Sequence, residues 1–144
     1  MKKILDNDKT VVITDEMVRK FVIKIIFQMF KDKFTPEVVF GIARGGLVPG
    51  IYISHALGIP FIAINDKEQE LKCEFKDVLI VDEINDSGKT LSDLSRNMNR
   101  ELNVRYAVLI ENTASCFTTD YYGMDYNKFE EPEWFVFPWE QLPH

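Results

Sequence analysis

The sequence predicts an α/β protein built on a parallel sheet, and three observations carry that prediction. Short apolar runs alternate with stretches of helical periodicity along the chain, the pattern of strands joined by right-handed crossovers. The runs are continuous, as in VVFGIA (38–43) and VLIV (78–81), so their strands are covered on both faces. Two polar, glycine-containing turns, ARGG (43–46) and DEINDSGKT (82–90), follow those runs. Open α/β sheets bind ligands there, beyond the carboxyl ends of their strands.

The first helix is predicted over TDEMVRKFVIKIIFQMFKDK (14–33). Thr14 or Asp15 can cap it, and acids fill its first turn. Met17, Phe21, Ile25 and Met29 recur every fourth residue, with Val18, Val22, Ile26 and Phe30 beside them, which predicts a wide buried stripe. Pro36 opens a new segment, and 38–43 reads as a buried strand closed by the tight turn Arg44-Gly45-Gly46. A helix follows over 47–58, with Gly58 placed to end it. PFIAIN (60–65) is the next strand, and 66–77 is a polar link with weak alternation around Leu71, Cys73 and Phe75. Val78 to Val81 forms the clearest strand, Thr90 to Leu102 a helix, and VRYAVLIE (104–111) a further strand. The tail, rich in Tyr, Phe and Trp, has no clear period.

At 144 residues the chain reads as one domain, 1–144. A chain of this length buries about 68–70% of its unfolded surface, enough for an ordinary core. Seventeen basic against 23 acidic side chains give a net charge of -6. That argues against a broad nucleic-acid-binding face, which needs clustered Lys and Arg, but leaves room for one local anion site. Cys73 and Cys116 form no CxxC and have no His nearby, so free thiols in a reducing cytoplasm are expected. MKKILDNDKT lacks the apolar core of a signal peptide. FVIKIIFQMF, broken by Lys24 and Gln28, is too short to span a membrane. His55 falls on the second helix and His144 at the terminus, and neither points to chemistry.

The chemistry concentrates in VLIVDEINDSGKT (78–90). Its end resembles the second half of a P-loop, G-x-x-x-x-G-K-[ST]. Counting back from Gly88, however, the required first glycine falls on Glu83. A carboxylate there would repel a triphosphate, so the ATPase reading fails on its own motif. What remains is Asp82-Glu83 at a strand end, then Asp86, then Ser87-Gly88-Lys89-Thr90 opening a helix. A helix N-terminus suits a phosphate monoester. Ser87 and Thr90 add hydroxyls, Gly88 allows close backbone approach, and Lys89 adds charge. The paired acids suit two neighbouring hydroxyls, or the water shell of a divalent cation. Phosphate at one end and a vicinal diol at the other describe a ribose 5-phosphate.

This segment resembles the phosphoribosyl-pyrophosphate (PRPP) signature of type I phosphoribosyltransferases. GIARGGLVPG (41–50) is similar to that family's pyrophosphate loop, and PEWFVFPWE (132–140) resembles the base-binding end of its xanthine-guanine members. The resemblance runs from about Ile13 to Glu140 and implies a three-layer Rossmann-like parallel sheet with a small C-terminal hood.

By that resemblance Asp82 and Glu83 hold the ribose hydroxyls and the Mg2+ shell, and Ser87, Gly88, Lys89 and Thr90 cradle the 5-phosphate. Arg44, Gly45 and Gly46 bind pyrophosphate, largely through backbone N–H groups. Asp86 is the catalytic carboxylate, near the purine N7, and takes the base's proton. Trp134 stacks on the base, the backbone of Phe135 reads its edge, and Pro138-Trp139 is structural.

Two departures stand out. Where the family's purine enzymes carry a lysine that donates to the 6-oxo group, this chain has Asn112. An amide donates or accepts, so the base is left open. The link 66–77 is also shorter than the mobile loop that closes over PRPP in the family. The resemblance implies an Mg2+-dependent enzyme acting on PRPP and a purine-like nucleobase. The alternative on the same site is a non-catalytic PRPP- or nucleotide-binding regulator. A homo-oligomer is expected, with Ile23 and Phe27 as extra apolar residues on the first helix for a subunit contact.

Overall fold

The computed structural model describes residues 9–65 and 74–140. Its elements are β1 (Lys9–Val12), α1 (Asp15–Lys31), β2 (Val38–Ile42), α2 (Leu47–Leu57), β3 (Phe61–Ile64), β4 (Asp77–Asn85), α3 (Lys89–Arg96), β5 (Asn103–Asn112), β6 (Tyr121–Tyr126) and β7 (Glu133–Val136), followed by a 3-10 turn at Pro138–Glu140. Five strands form one parallel sheet in the order β3-β2-β4-β5-β6. A small separate ladder pairs β1 with β7 in parallel. The α/β fold with a parallel central sheet is therefore as the sequence implies.

Side chains of the central strands alternate between two cores. Leu79 and Val81 of β4 join Val18, Ile25 and Met29 of α1 and Ile53 of α2, while Val78 and Ile80 face Leu91 and Leu94 of α3. One face thus carries α1 and α2 and the other α3. From β2 the chain passes through α2 to β3 on one side of the sheet, and β4 then pairs with the other side of β2. Chain order reverses between β2 and β4, and the crevice beyond their carboxyl ends is the place where such sheets bind ligands.

Thr14, not Asp15, caps α1: its Oγ1 accepts the Met17 N–H at 3.1 Å. The buried stripe is narrower than expected. Val18, Phe21, Val22, Ile25 and Met29 are buried, whereas Phe30 is 66% exposed. At 3.6 residues per turn a row of every fourth residue drifts by roughly 40° per step, so the row from Val18 has rotated off the core by Phe30. Gln28 flanks the stripe on the sheet side. Its amide donates to the Tyr122 carbonyl at 2.7 Å and accepts the Tyr122 N–H at 3.1 Å. The edge strand β6 is thereby covered by a side chain that imitates one residue of a neighbouring strand.

Other boundaries move for local reasons. α3 stops at Arg96 rather than Leu102. The Asn97 N–H bonds back to Leu94 and Ser95, and the Asn99 side chain accepts the Glu101 N–H at 3.0 Å, so asparagines that favour turns end the helix. β4 runs on through Asn85 because Asp82, Ile84 and Asn85 keep their register with β5. The aperiodic tail resolves into β6 and β7. Gly123 obscures the period of β6, and it is needed because a Cβ there would lie 2.3 Å from Phe21 Cβ. Of the expected link 66–77, residues 66–73, with Cys73, lie outside the described residues.

Candidate active site

Three loops meet at the crevice. The first is the turn from β4 into α3. Gly88 takes φ +89°, and a Cβ there would fall 2.7 Å from Phe117 N and 3.0 Å from Cys116 N, so only glycine fits. The Ser87 carbonyl accepts the Cys116 N–H at 3.0 Å and the Ser87 hydroxyl accepts the Lys89 N–H at 3.2 Å. Gly88 occupies the N-cap of α3 and brings no side-chain acceptor of its own. The first turn of that helix is thus presented to an anion. An open cavity of about 220 Å3 is lined by this turn and by Asp82, Glu83 and Thr90.

The second loop follows β2. The Ala43–Arg44 peptide is cis, Arg44 is exposed, and the Gly46 N–H returns to the Ile42 carbonyl at 2.8 Å. Gly45 lies directly against the Glu83 carboxylate, where an added Cβ would stand 2.3 Å from Cδ. At Gly46 an added Cβ would stand 2.2 Å from the Val81 carbonyl oxygen. The Gly-Gly pair therefore lets this loop close on β4 with no side chain between them. Glu83 is held from the far side too, because the Trp139 indole N–H donates to its Oε2 at 3.0 Å. Asp82 Oδ1 accepts the Glu83 N–H at 2.8 Å. Trp139, expected to be structural, stacks on Phe137 at 5.1 Å and also touches the acid pair.

The third region lies around Asp86. Its carboxylate accepts from Lys128 Nζ at 2.9 and 3.1 Å and from the Tyr126 hydroxyl at 3.3 Å. Burial, then the Asp86 charge, pushes the Tyr126 phenol well above its ordinary range. Asp86, Ile84, Trp134 and Phe135 line a cavity of about 80 Å3. Phe135 is buried edge-on against Tyr126 at 4.9 Å, while half-buried Trp134 pairs with Thr10 in the β1–β7 ladder.

Beneath Gly88 a buried network fixes the loop 112–119. Asn85 Nδ2 donates to Glu111 and to the Phe117 carbonyl, both at 2.6 Å. Glu111 Oε2 accepts the Thr119 N–H and hydroxyl at 2.9 and 2.8 Å.

Comparison with solved structures decides what this arrangement is. A purine phosphoribosyltransferase from Pyrococcus horikoshii is 30% identical, with a TM-score of 0.74 over 94% of this chain and 97% of the other. The chain belongs to the type I phosphoribosyltransferase family.

Two further structures share the fold. The xanthine-guanine-hypoxanthine phosphoribosyltransferase of Helicobacter pylori is 23% identical, with a TM-score of 0.77 over 92% of this chain and 94% of that one. A hypothetical protein from Neisseria gonorrhoeae with bound ppGpp is 20% identical, with a TM-score of 0.71 over 96% and 93%. No family model and no curated protein matches the chain.

Asn112, expected at the base, lines the cavity beside Asp86 and Lys128 and is also held by backbone. Asn112 is 4% exposed. Its Nδ2 donates to the Asp86 carbonyl at 2.7 Å, and its Oδ1 accepts the N–H groups of Ala114 and Lys128 at 3.0 and 3.1 Å. Both lone pairs and one N–H are committed, so Asn112 braces the Asp86 loop from below.

The sequence reading missed Ile84, Tyr126, Lys128 and the Trp139 contact. Ile84 was within reach, since it lies in the signature itself. The other three depend on where β6, β7 and the final turn return, and no local pattern records that.

Proposed function

We propose that this phosphoribosyltransferase moves the 5-phosphoribosyl group of PRPP to a purine base and releases pyrophosphate. The observation that carries the reading is a shared wall. Glu83, Ile84 and Asp86 line both the cavity at the start of α3 and the aromatic cavity of Trp134 and Phe135. A ribose 5-phosphate with its phosphate at Ser87–Thr90 and its diol on Asp82 and Glu83 would present C1 to a base in the adjoining cavity. The Arg44-Gly45-Gly46 loop, packed on Glu83, would take the pyrophosphate.

In the reaction a ring nitrogen bonds to C1 as the C1–O bond to pyrophosphate breaks, and the leaving group carries away the electron pair. The proton that the base gives up as this nitrogen attacks passes to Asp86, the carboxylate at the junction of the two cavities. Trp134 contributes an indole face for a flat heterocycle, with the Phe135 backbone beside it. A purine fits the reading better than a pyrimidine because the 30% identical relative is a purine enzyme.

Mg2+ is the proposed cofactor, and the donor set fits it. Asp82 and Glu83 are adjacent carboxylates, and among the described residues no group of three or more His, Cys, Asp or Glu is placed to hold a metal. Mg2+ characteristically takes one or two carboxylates and completes its shell with water and substrate phosphate oxygens. Bound there, it would neutralise charge on the leaving pyrophosphate. Ile23, Phe27 and Phe30 leave α1 with exposed apolar side chains, the proposed contact of a homo-oligomer. Within the described residues no helix is long and apolar enough to cross a membrane. The cytoplasm is the proposed compartment, on the free thiol of Cys116.

The test is turnover with PRPP, Mg2+ and a panel of purine and pyrimidine bases, with products identified by mass spectrometry. One purine nucleotide is expected, and its formation should be lost in Asp86→Asn. PRPP that binds but stays intact with every base would overturn the enzyme reading in favour of a nucleotide-binding regulator.

A further inference from the structure

By the resemblance, the family's base-reading cation falls where this chain has Asn112. The structure nevertheless sets the Lys128 ammonium 2.9 Å from Asp86 Oδ1. Its backbone is anchored, because the Lys128 N–H donates to Asn112 Oδ1 at 3.1 Å. The turn beyond is closed by Asn127, whose side chain accepts the Phe129 N–H at 3.0 Å and whose carbonyl accepts the Glu131 N–H at 2.8 Å. The Asn112 amide thus helps to place a cation that comes from the turn after β6.

Asp86 and Lys128 line two cavities together. One is the aromatic cavity with Trp134, and the other has Asn112, Ala114, Cys116 and Phe129 in its wall. The ion pair is the partition between them. A carboxylate only accepts hydrogen bonds and an ammonium only donates them. Side by side, 2.9 Å apart, they complement a heterocycle edge on which a ring N–H stands next to a carbonyl oxygen. A base with an amino group at that place would set donor against donor.

We propose that Lys128 is the specificity-determining residue of the base site, selecting bases with an oxo group beside the ring N–H that meets Asp86. This rests on the transferase reading above and names the base class for it. The pair is half exposed, 49% for the lysine side chain and 47% for the aspartate, so the lysine can shift from Asp86 toward an arriving oxo group at little cost. A hydrogen bond to a charged group discriminates by roughly 10–100-fold.

The experiment compares hypoxanthine with adenine, which differ in an oxo and an amino group, in the parent protein and in Lys128→Met, which keeps the length and removes the charge. Specific activity is measured as kcat/KM for each base, and binding of IMP against AMP is measured in parallel by calorimetry. The parent should favour the oxo member of each pair by roughly 10–100-fold, and Lys128→Met should bring both ratios close to one while PRPP affinity stays within about twofold. An oxo-to-amino ratio in Lys128→Met equal to the parent's, in either assay, would overturn the inference and leave the transferase reading standing. Selective IMP binding that needs Lys128, without turnover of any base, would support it and overturn the transferase reading instead.

Discussion

Adding one carbon to Gly45 should cut activity and spare the fold, whereas the same carbon on Gly46 should cost stability. At Gly45 the new Cβ would stand 2.3–2.6 Å from the Glu83 carboxylate, roughly 1 Å short of ordinary contact. The atoms met are the far end of a side chain, so the carboxylate yields and little stability is lost. It then leaves the position in which Trp139 holds it. A displacement of ~1 Å in a positioning group can cost about 100-fold in rate. At Gly46 the new Cβ would stand 2.2 Å from the Val81 carbonyl oxygen, which belongs to the central strand β4. Overpacking against fixed backbone costs about 1–3 kcal/mol or more, or a Tm fall of roughly 3–10 °C for a chain of this size. Steady-state kinetics in PRPP and thermal unfolding by circular dichroism separate the two. Gly45→Ala with parental kcat/KM, or with a Tm loss matching that of Gly46→Ala, would refute the reasoning.

Trp139→Phe keeps an aromatic ring against Phe137 and removes the indole N–H from Glu83. KM for PRPP should rise about 5–30-fold, the equivalent of 1–2 kcal/mol, with the KM for the base nearly unchanged in initial-rate measurements. Asn112→Ala strips partners from the Asp86 carbonyl and from the Ala114 and Lys128 N–H groups, so urea unfolding should show a loss of about 1–3 kcal/mol. Burial, with Asp120 adding to it, pushes the Tyr106 phenol from 10.0 up to about 12. The native protein then keeps that proton after the unfolded chain has released it, and this contribution to stability falls as pH rises from about 10 towards 12. Tyr106→Phe should flatten that part of a stability-versus-pH curve.

How much of this was legible depended on how local each feature is. The central strands were readable because VVFGI and VLIV are buried on both faces and carry no polar interruption. The acid pair, Asp86 and the Ser-Gly-Lys-Thr turn were readable because one turn of backbone joins a strand to a helix and fixes all of them together. Gly45 and Gly46 could be located, yet their reason lay elsewhere, in the approach of their loop to Glu83 and Val81. β1 and β7 escaped notice because each is short and finds its partner at the opposite end of the chain, Lys9 beside Glu133. Asn112 was read as a base contact because position alone suggested it. Its hydrogen bonds to the backbone of Asp86, Ala114 and Lys128 depend on a turn 16 residues on that no local pattern records, and the Lys128 ammonium shares its cavity wall.

The central claim is that one crevice holds sugar phosphate and base on either side of Asp86. A crystal structure with a purine nucleoside 5'-monophosphate tests it most directly. The account predicts phosphate at the start of α3, the ribose diol on Asp82 and Glu83, and the base against Trp134 with its edge on Asp86 and Lys128. A phosphate bound away from Ser87–Thr90, or a base outside the Trp134 cavity, would contradict it.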